Sequence, residues 1–171
     1  IIVSDGHKIY LAQTLFVQDI TAYAQRDQAR PKRDSVVGML PPKLAQIIIN
    51  LAKPSNDALI YDPFCGTGVI LQEALLMDYN VVGSDIEPRM MEYTKVNMQW
   101  LQQQYPKISN QKIELEILDA SKSPSLKFYD TIASEVYLGP VLKGRATADA
   151  IQKSSQVVND ILNNFLANIV H

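Results

Sequence analysis

Residues 58–68 read Ala58-Leu59-Ile60-Tyr61-Asp62-Pro63-Phe64-Cys65-Gly66-Thr67-Gly68. An apolar run that stops at an acid and passes directly into a Pro-Phe-Cys-Gly-Thr-Gly turn predicts a buried strand ending in a ligand-binding loop, with residues 69–77 as the helix beyond it. Gly66 and Gly68 carry no Cβ, so the main chain there can take positive φ and let a ligand lie against it. The free N–H groups at the start of the following helix favour a carboxylate or another anion.

Working outward, Asp85 closes a second apolar run, Val81-Val82-Gly83-Ser84. In an open parallel sheet, ligands bind outside the carboxyl ends of the strands, and an acid at the end of the second strand is placed to accept bonds from ribose hydroxyls. A dinucleotide fold would want G-x-G-x-x-G, but Gly66-Thr67-Gly68 is followed by Val69, Ile70 and Leu71 with no third glycine. Asp62, just before the glycines, can reach an ammonium group and would repel a pyrophosphate. This favours S-adenosylmethionine, which carries an amino-acid end, over NAD.

Asp62-Pro63-Phe64-Cys65-Gly66-Thr67-Gly68, preceded by Gly38-Met39-Leu40-Pro41-Pro42-Lys43-Leu44-Ala45 and followed by Gly83-Ser84-Asp85-Ile86, resembles the class I amino-methyltransferases. Within them it is most similar to the tRNA guanosine-N2 methyltransferases that carry an upstream THUMP domain, over residues 26–140. The resemblance implies an α/β fold with a Rossmann-like methyltransferase sheet and flanking helices. It implies that Met39, Leu40, Pro41, Asp62, Pro63, Phe64, Cys65, Gly66, Thr67, Gly68, Asp85, Ile86, Asp119 and Ala120 surround S-adenosylmethionine, with Asp62 on the methionine end, Asp85 on the ribose and Asp119 at the adenine amino group. Asp119 also reads as a plain helix cap or turn. Where such enzymes carry an Asp or Asn, prolines and an aromatic, this chain has Glu135-Val136-Tyr137-Leu138-Gly139-Pro140. Glu135 then stands in the acid's place and Tyr137 in the aromatic's, as the catalytic pair, while Val136 departs from the proline pattern.

The chain has 171 residues, 47% of them hydrophobic and 20% charged, which fits one soluble globular domain. No apolar run is long enough to span a bilayer and no leader opens the chain, so the expectation is a cytoplasmic protein. One cysteine excludes an internal disulfide framework, and His7, His171 and Cys65 match no metal-binding spacing. A net charge of −2 argues against this stretch holding a polyanion by itself. If tRNA or another nucleic acid is the partner, a domain absent from the chain supplies the grip. The opening at Ile1 without a methionine reads as a piece of a longer protein.

Residues 1–34 read as a lead-in or linker and 35–171 as the methyltransferase domain. Residues 8–19 mix β-formers with alternation and predict a strand or two before a short helix or turn at 20–28. The charged stretch 26–34 reads as a solvated linker, or, from the resemblance, as a segment beside the cofactor. Pro41-Pro42 starts a helix with Leu44, Ile47, Ile48 and Leu51 on the face expected to cover the sheet. Residues 87–104 predict a long helix burying or half-burying Met91, Tyr93, Val96 and Trp100. Residues 113–118 alternate at period two as a third strand, and 129–134 form a fourth. A turn at 143–145 leads to a helix over 147–170, with Ile151, Val158, Ile161, Leu162, Phe165 and Ile169 on an apolar stripe. The C-terminal strands of a seven-stranded sheet are expected to be missing or supplied by another copy.

Cys65 resembles the nucleophile of pyrimidine C5 methylation only in kind. It lies inside the cofactor loop and reads as a small packed residue. Three functions remain open: methyl transfer to an exocyclic amine, above all guanine N2 in tRNA; a DNA N6-adenine or N4-cytosine methyltransferase using the same motifs; and a non-catalytic cofactor-binding module.

Overall fold

The computed structural model describes residues 1–34, 39–122, 128–139 and 147–169. Gly38, Pro140, Val170 and the turn expected at 143–145 lie outside them. The apolar runs around the glycine loop form the centre of a parallel sheet, because strands covered on both faces need unbroken apolar sequence. Its strands are β3 (Leu59–Asp62), β4 (Asn80–Asp85), β5 (Ile113–Ile117) and β6 (Thr131–Ile132). They lie in the order β5-β4-β3-β6, with Ile60 opposite Val81 and Thr131. Bonds from Asp130 N to Leu59 O and from Ala133 N to Tyr61 O extend the short β6 pairing at both ends.

The chain runs outward from β3 to β5, then returns to the other side of β3 to form β6. The reversal makes the β3–β6 seam the switch point where such sheets bind ligands. Helix α3 (Val69–Leu76), between β3 and β4, is buried on nearly all sides. Its Leu71 leaves no room at Gly83 of β4, where a Cβ would stand 2.3 Å from Leu71 Cδ1. Helix α4 (Pro88–Gln104) follows β4 and presents Met90, Met91, Thr94, Asn97, Met98 and Leu101 inward. Tyr93, Val96 and Trp100 are half-buried, as expected.

Helix α2 (Pro42–Ala52) forms where predicted, with proline in its first turn, but its inward face differs. Pro42, Ala45 and Ile49 are buried, whereas Leu44, Ile47 and Leu51 are exposed. α2 packs on α3, and a small residue at the contact lets two helices approach closely. The larger aliphatics are left one step around the helix.

At the N-terminus, β1 (Ile2–Ser4) and β2 (Ile9–Leu11) form an antiparallel hairpin, with every residue of both strands exposed. The expected strand in 8–19 is β2; its partner was not foreseen. The charged stretch 26–34 is not a solvated linker: Arg26, Arg30 and Asp34 in it are buried. Helix α1 (Ile20–Gln28) is capped by Asp19, whose side chain accepts from Ala22 N, and it buries Arg26. Arg26 Nε donates to Glu73 Oε1 at 2.6 Å and Nη2 to Oε2 at 3.1 Å. Gln46 Nε2 adds a bond to Glu73 Oε2 at 2.7 Å, and Tyr23 donates its hydroxyl to Gln46 Oε1. Arg30 is also buried, and Asp34 pairs with Arg89 of α4 at 3.1 Å.

Helix α5 (Ala148–Ile169) ends the described chain. Only Phe165 of its apolar stripe is fully buried, edge-on to Phe64 at 5.4 Å between ring centres.

The Arg26–Glu73 fork staples α1 to α3, and removing one partner leaves a buried charge without its counterpart. Arg26→Met should therefore lower the free energy of urea unfolding by roughly 3 kcal/mol, and pairing it with Glu73→Leu should recover a substantial part of the loss.

Candidate functional site

The loop after β3 is held from several directions. Gly68 N donates to Cys65 O at 2.7 Å, and Gly66 and Gly68 take φ of 51° and 82°. Cys65 N bonds to Ser84 O at 2.9 Å and Gly66 N to Asp85 Oδ2 at 2.9 Å, so the loop hangs from the end of β4. From α4, Thr94 Oγ1 donates to Gly66 O at 2.7 Å and Asn97 Nδ2 to Thr67 O at 2.9 Å. Asn97 also exchanges two 2.9 Å bonds with the main chain of Lys32, which ties the segment before α2 to the loop. A Cβ on Gly68 would meet Thr94 Cγ2 at 2.8 Å.

A cavity of about 1040 Å³ opens at the carboxyl ends of the strands. It brings together the expected residues from all parts of the chain: Met39, Leu40 and Pro41, the loop from Asp62 to Thr67, Asp85 and Ile86, Asp119 and Ala120, and Glu135 and Tyr137. Gly68 is the exception; it turns the chain into α3 behind the wall. Val157 and Ile161 of α5 close part of the lining, and Asn168 Nδ2 bonds to Ala120 O at 3.3 Å.

Asp62 is buried, and its Oδ1 accepts from Ser134 Oγ at 2.6 Å across the switch point and from Phe64 N at 3.2 Å. Burial pushes its pKa up to about 7; the Ser134 and Phe64 bonds hold it back, and the charges of Asp85 and Glu135 push it further. Burial also raises Asp85, against the N–H groups of Glu87 and Gly66, each 2.9 Å from one of its oxygens. Asp119 behaves oppositely. Its Oδ1 takes the Ser121 hydroxyl at 2.6 Å and Ser121 N at 3.0 Å, and Lys122 lies 2.9 Å from Oδ2, which together hold it below the usual carboxylate range. The geometry there is that of a turn cap on the cavity wall.

Cys65 is buried with Sγ 3.6 Å from Met91 Sδ, and burial followed by the charges of Asp62 and Asp85 pushes its thiol well above its ordinary value. A thiol so disfavoured as thiolate is a packed side chain. Among the described residues no three His, Cys, Asp or Glu side chains converge to hold a metal ion, and no helix is long and apolar enough to cross a membrane.

Sequence reasoning missed Thr94, Asn97, Ser134 and Arg89. Thr94 and Asn97 fall in the apolar register of α4 with Met90, Met91, Met98 and Leu101, and polar residues on a buried face were the available signal. Ser134 carried no pattern, because its partner Asp62 is distant in sequence.

Among proteins of known name, the chain is 48% identical over 75 residues to a tRNA (guanine(10)-N2)-dimethyltransferase of Methanothermobacter thermautotrophicus, a match covering 43% of this chain and 22% of that protein. A protein of the same name from Methanocaldococcus jannaschii is 32% identical over 96 residues, 53% of this chain and 27% of the relative. The chain thus spans about a quarter of the length of these relatives. Among solved structures, TrmN from Thermus thermophilus superposes with a TM-score of 0.56 at 21% identity, over 84% of this chain and 38% of that one. A predicted N6-adenine-specific DNA methylase from Listeria monocytogenes does so with a TM-score of 0.61 at 16% identity, over 84% and 43%. These neighbours share the Rossmann-like α/β fold. The family model for the RMKL-like methyltransferase domain, UPF0020, matches residues 30–140, a span that includes the glycine loop, Asp85 and Glu135–Tyr137, and the chain belongs to that family.

Proposed function

We propose that the cavity binds S-adenosylmethionine and that the protein transfers its methyl group to an exocyclic amine of a nucleobase, guanine N2 in tRNA. The observation that carries the cofactor reading is the charge of the lining. The lining carries Asp62, Asp85, Glu87, Asp119 and Glu135 against one lining cation among the described residues, Arg89, which is itself paired to Asp34; Lys122, outside the lining, pairs with Asp119. Such a cavity opposes a pyrophosphate and suits a ligand whose sulfonium and ammonium outweigh its carboxylate.

The residues present fit that ligand piece by piece. Asp62 would hold the ammonium. The first N–H groups of α3, which has no side-chain cap, would hold the carboxylate. Each oxygen of Asp85 already takes one N–H bond and keeps a second lone pair for a ribose hydroxyl. Ile86, Leu118 and Ala120 supply apolar surface for a purine, and Asp119 stands at its edge.

S-adenosylmethionine, when bound, supplies an already activated methyl group, so the protein chiefly has to orient its target. Glu135 would accept a hydrogen bond from the amine and take the proton that leaves it, while Tyr137, 42% exposed at the cavity mouth, would stack on a base taken out of its helix. Val157 and Ile161 would keep water from the reacting atoms. The names of the relatives above support guanine N2 and tRNA. In this reading residues 35–171 are the catalytic unit, and residues 1–34 lead into it, latched through Arg26, Lys32 and Asp34. The net charge of −2 leaves the grip on RNA to a part of the protein outside this stretch, in the cytoplasm.

Calorimetry should find S-adenosylmethionine or S-adenosylhomocysteine bound and NAD not bound. Asp85→Ala should weaken binding by about 1 to 3 kcal/mol through loss of a charged acceptor for the ribose. With the protein in its full-length context, methyl groups should appear on guanine N2 of unmodified tRNA. Cofactor binding with no transfer to any nucleic acid would leave a binding module, and methyl on adenine N6 or cytosine N4 would overturn the guanine assignment.

Asp62 gives a second test. Its folded-state pKa of about 7 lies above the 3.8 of an ordinary aspartate, so its contribution to stability is present in full below about pH 4 and is lost as pH rises through 7. Urea midpoints of the ligand-free protein should therefore fall over that interval, and Asp62→Asn should flatten the fall. Affinity for the cationic cofactor should move the other way, rising as Asp62 ionises.

A further inference from the structure

Cations gather on one side of the cavity mouth. Arg89, in the first turn of α4, lines the cavity with its side chain 53% exposed. Its guanidinium lies 5.8 Å from the centre of the Tyr93 ring, and the ammonium of Lys32 lies 5.1 Å from the centre of the same ring. Arg33, next in the chain, is exposed. Neither Lys32 nor Arg33 belongs to the cavity lining, so the group runs from the rim outward. Among the described residues Asp34 is the one acid that pairs with any of the three, 3.1 Å from Arg89. Three cations against one acid leave a local excess of positive charge on a chain whose net charge is −2.

Like charges brought to one ring repel, and the fold nonetheless holds them there from two directions. The main chain of Lys32 exchanges two 2.9 Å bonds with Asn97, and Asp34 pins Arg89. The ring itself attracts both cations and limits where they can go. Cations fixed before a ligand arrives lose little freedom on binding it. Their placement, strung from the cavity mouth along a neighbouring segment, suits a chain of phosphates better than one isolated anion.

We infer that Lys32, Arg33 and Arg89 form a phosphate-contact rim, which holds the sugar-phosphate backbone of the RNA beside the nucleotide whose base enters the cavity. This rests on the methyltransferase reading above and adds to it a surface that positions the substrate. Phosphate contacts fix the register of a nucleic acid and carry no sequence information. The rim therefore sets how the strand lies across the mouth, while most of the affinity comes from elsewhere in the protein.

Salt dependence of RNA binding tests this. The protein in its full-length context, saturated with S-adenosylhomocysteine, is titrated into fluorescent unmodified tRNA at several salt concentrations, and methyl transfer is measured with S-adenosylmethionine. Lys32→Gln removes a charge and keeps the main-chain latch to Asn97. It should lower the slope of log affinity against log salt by about 0.7 to 0.9, the share of one phosphate contact, and Lys32→Gln with Arg89→Gln should lower it by about twice that. Both variants should raise KM for tRNA and nearly keep kcat. Arg89→Lys, which preserves the charge, should keep the parent's slope. Lys107→Gln, which removes an exposed cation beyond the other end of α4, should change neither slope nor KM.

An unmoved slope in the double variant would overturn the inference, as would an equal change in Lys107→Gln or a parent that binds no RNA. Loss of S-adenosylhomocysteine affinity in Lys32→Gln, with RNA binding intact, would assign the rim to the cofactor and overturn it too. Cofactor calorimetry on the same samples separates the two readings. If the parent does not bind S-adenosylhomocysteine, the methyltransferase reading falls and takes this one with it; if cofactor binding is intact and the salt slope ignores the rim, only this one falls.

Discussion

The main-chain N–H of Gly66 donates to Asp85 Oδ2, and through that bond the ends of two neighbouring strands and the turn between them hold a common geometry. The turn's own bond from Gly68 N to Cys65 O is joined by bonds from outside, since Gly66 and Gly68 take left-handed φ for which glycine has no strong local preference. Its shape is fixed from outside as well: Asp85 and Ser84 hold it from β4, and Thr94 and Asn97 hold it from α4. The cavity, the start of α3 and the position of Asp62 all follow from that clamp. Asn97 extends it to Lys32, so the segment before α2 bears on the glycine loop through one buried amide.

The electrostatics of the cavity run against the stability of the ligand-free fold. Burial raises both Asp62 and Asp85, and Asp62 is raised further by the charges of Asp85 and Glu135. A set of acids that the protein alone does not neutralise costs folding free energy, and a cation placed among them recovers it. Functional sites commonly carry such unfavourable arrangements, with the rest of the fold holding them in place. Here the holding elements include the Arg26–Glu73 fork, which is away from the cavity lining and fixes α1 and α2 on α3.

The central strands, the glycine loop and Asp85 were legible because each is a local pattern. A buried parallel strand reads as an apolar run, and the loop reads as glycines after an acid. What was not legible depends on partners far along the chain. Arg26 looks like one more charge in a polar stretch until Glu73, 47 positions later, is seen to close on it. The face of α2 was misassigned because hydrophobicity marks Leu44, Ile47 and Leu51, while the close contact with α3 selects Ala45 and Ile49. Asp119 was legible as an acid at a strand end, but only the structure reveals how fully Ser121 and Lys122 engage it.

Strand order joins the two halves of the proposed chemistry. Because the chain reverses direction across the sheet between β5 and β6, the residue that ends β3 and would meet the cofactor's ammonium, and the residue three places beyond β6 that would meet the target amine, lie at the ends of adjacent strands. Ser134 spans that seam with its bond to Asp62, and Glu135 follows it at once. A cation bound at Asp62 would offset the repulsion that the charge of Glu135 exerts there. By linkage, a base held by Glu135 through N–H donors would in turn favour the cation beside Asp62. Such a coupling would require no movement of the backbone, because the charge of Glu135 already bears on Asp62 at the switch point of one sheet.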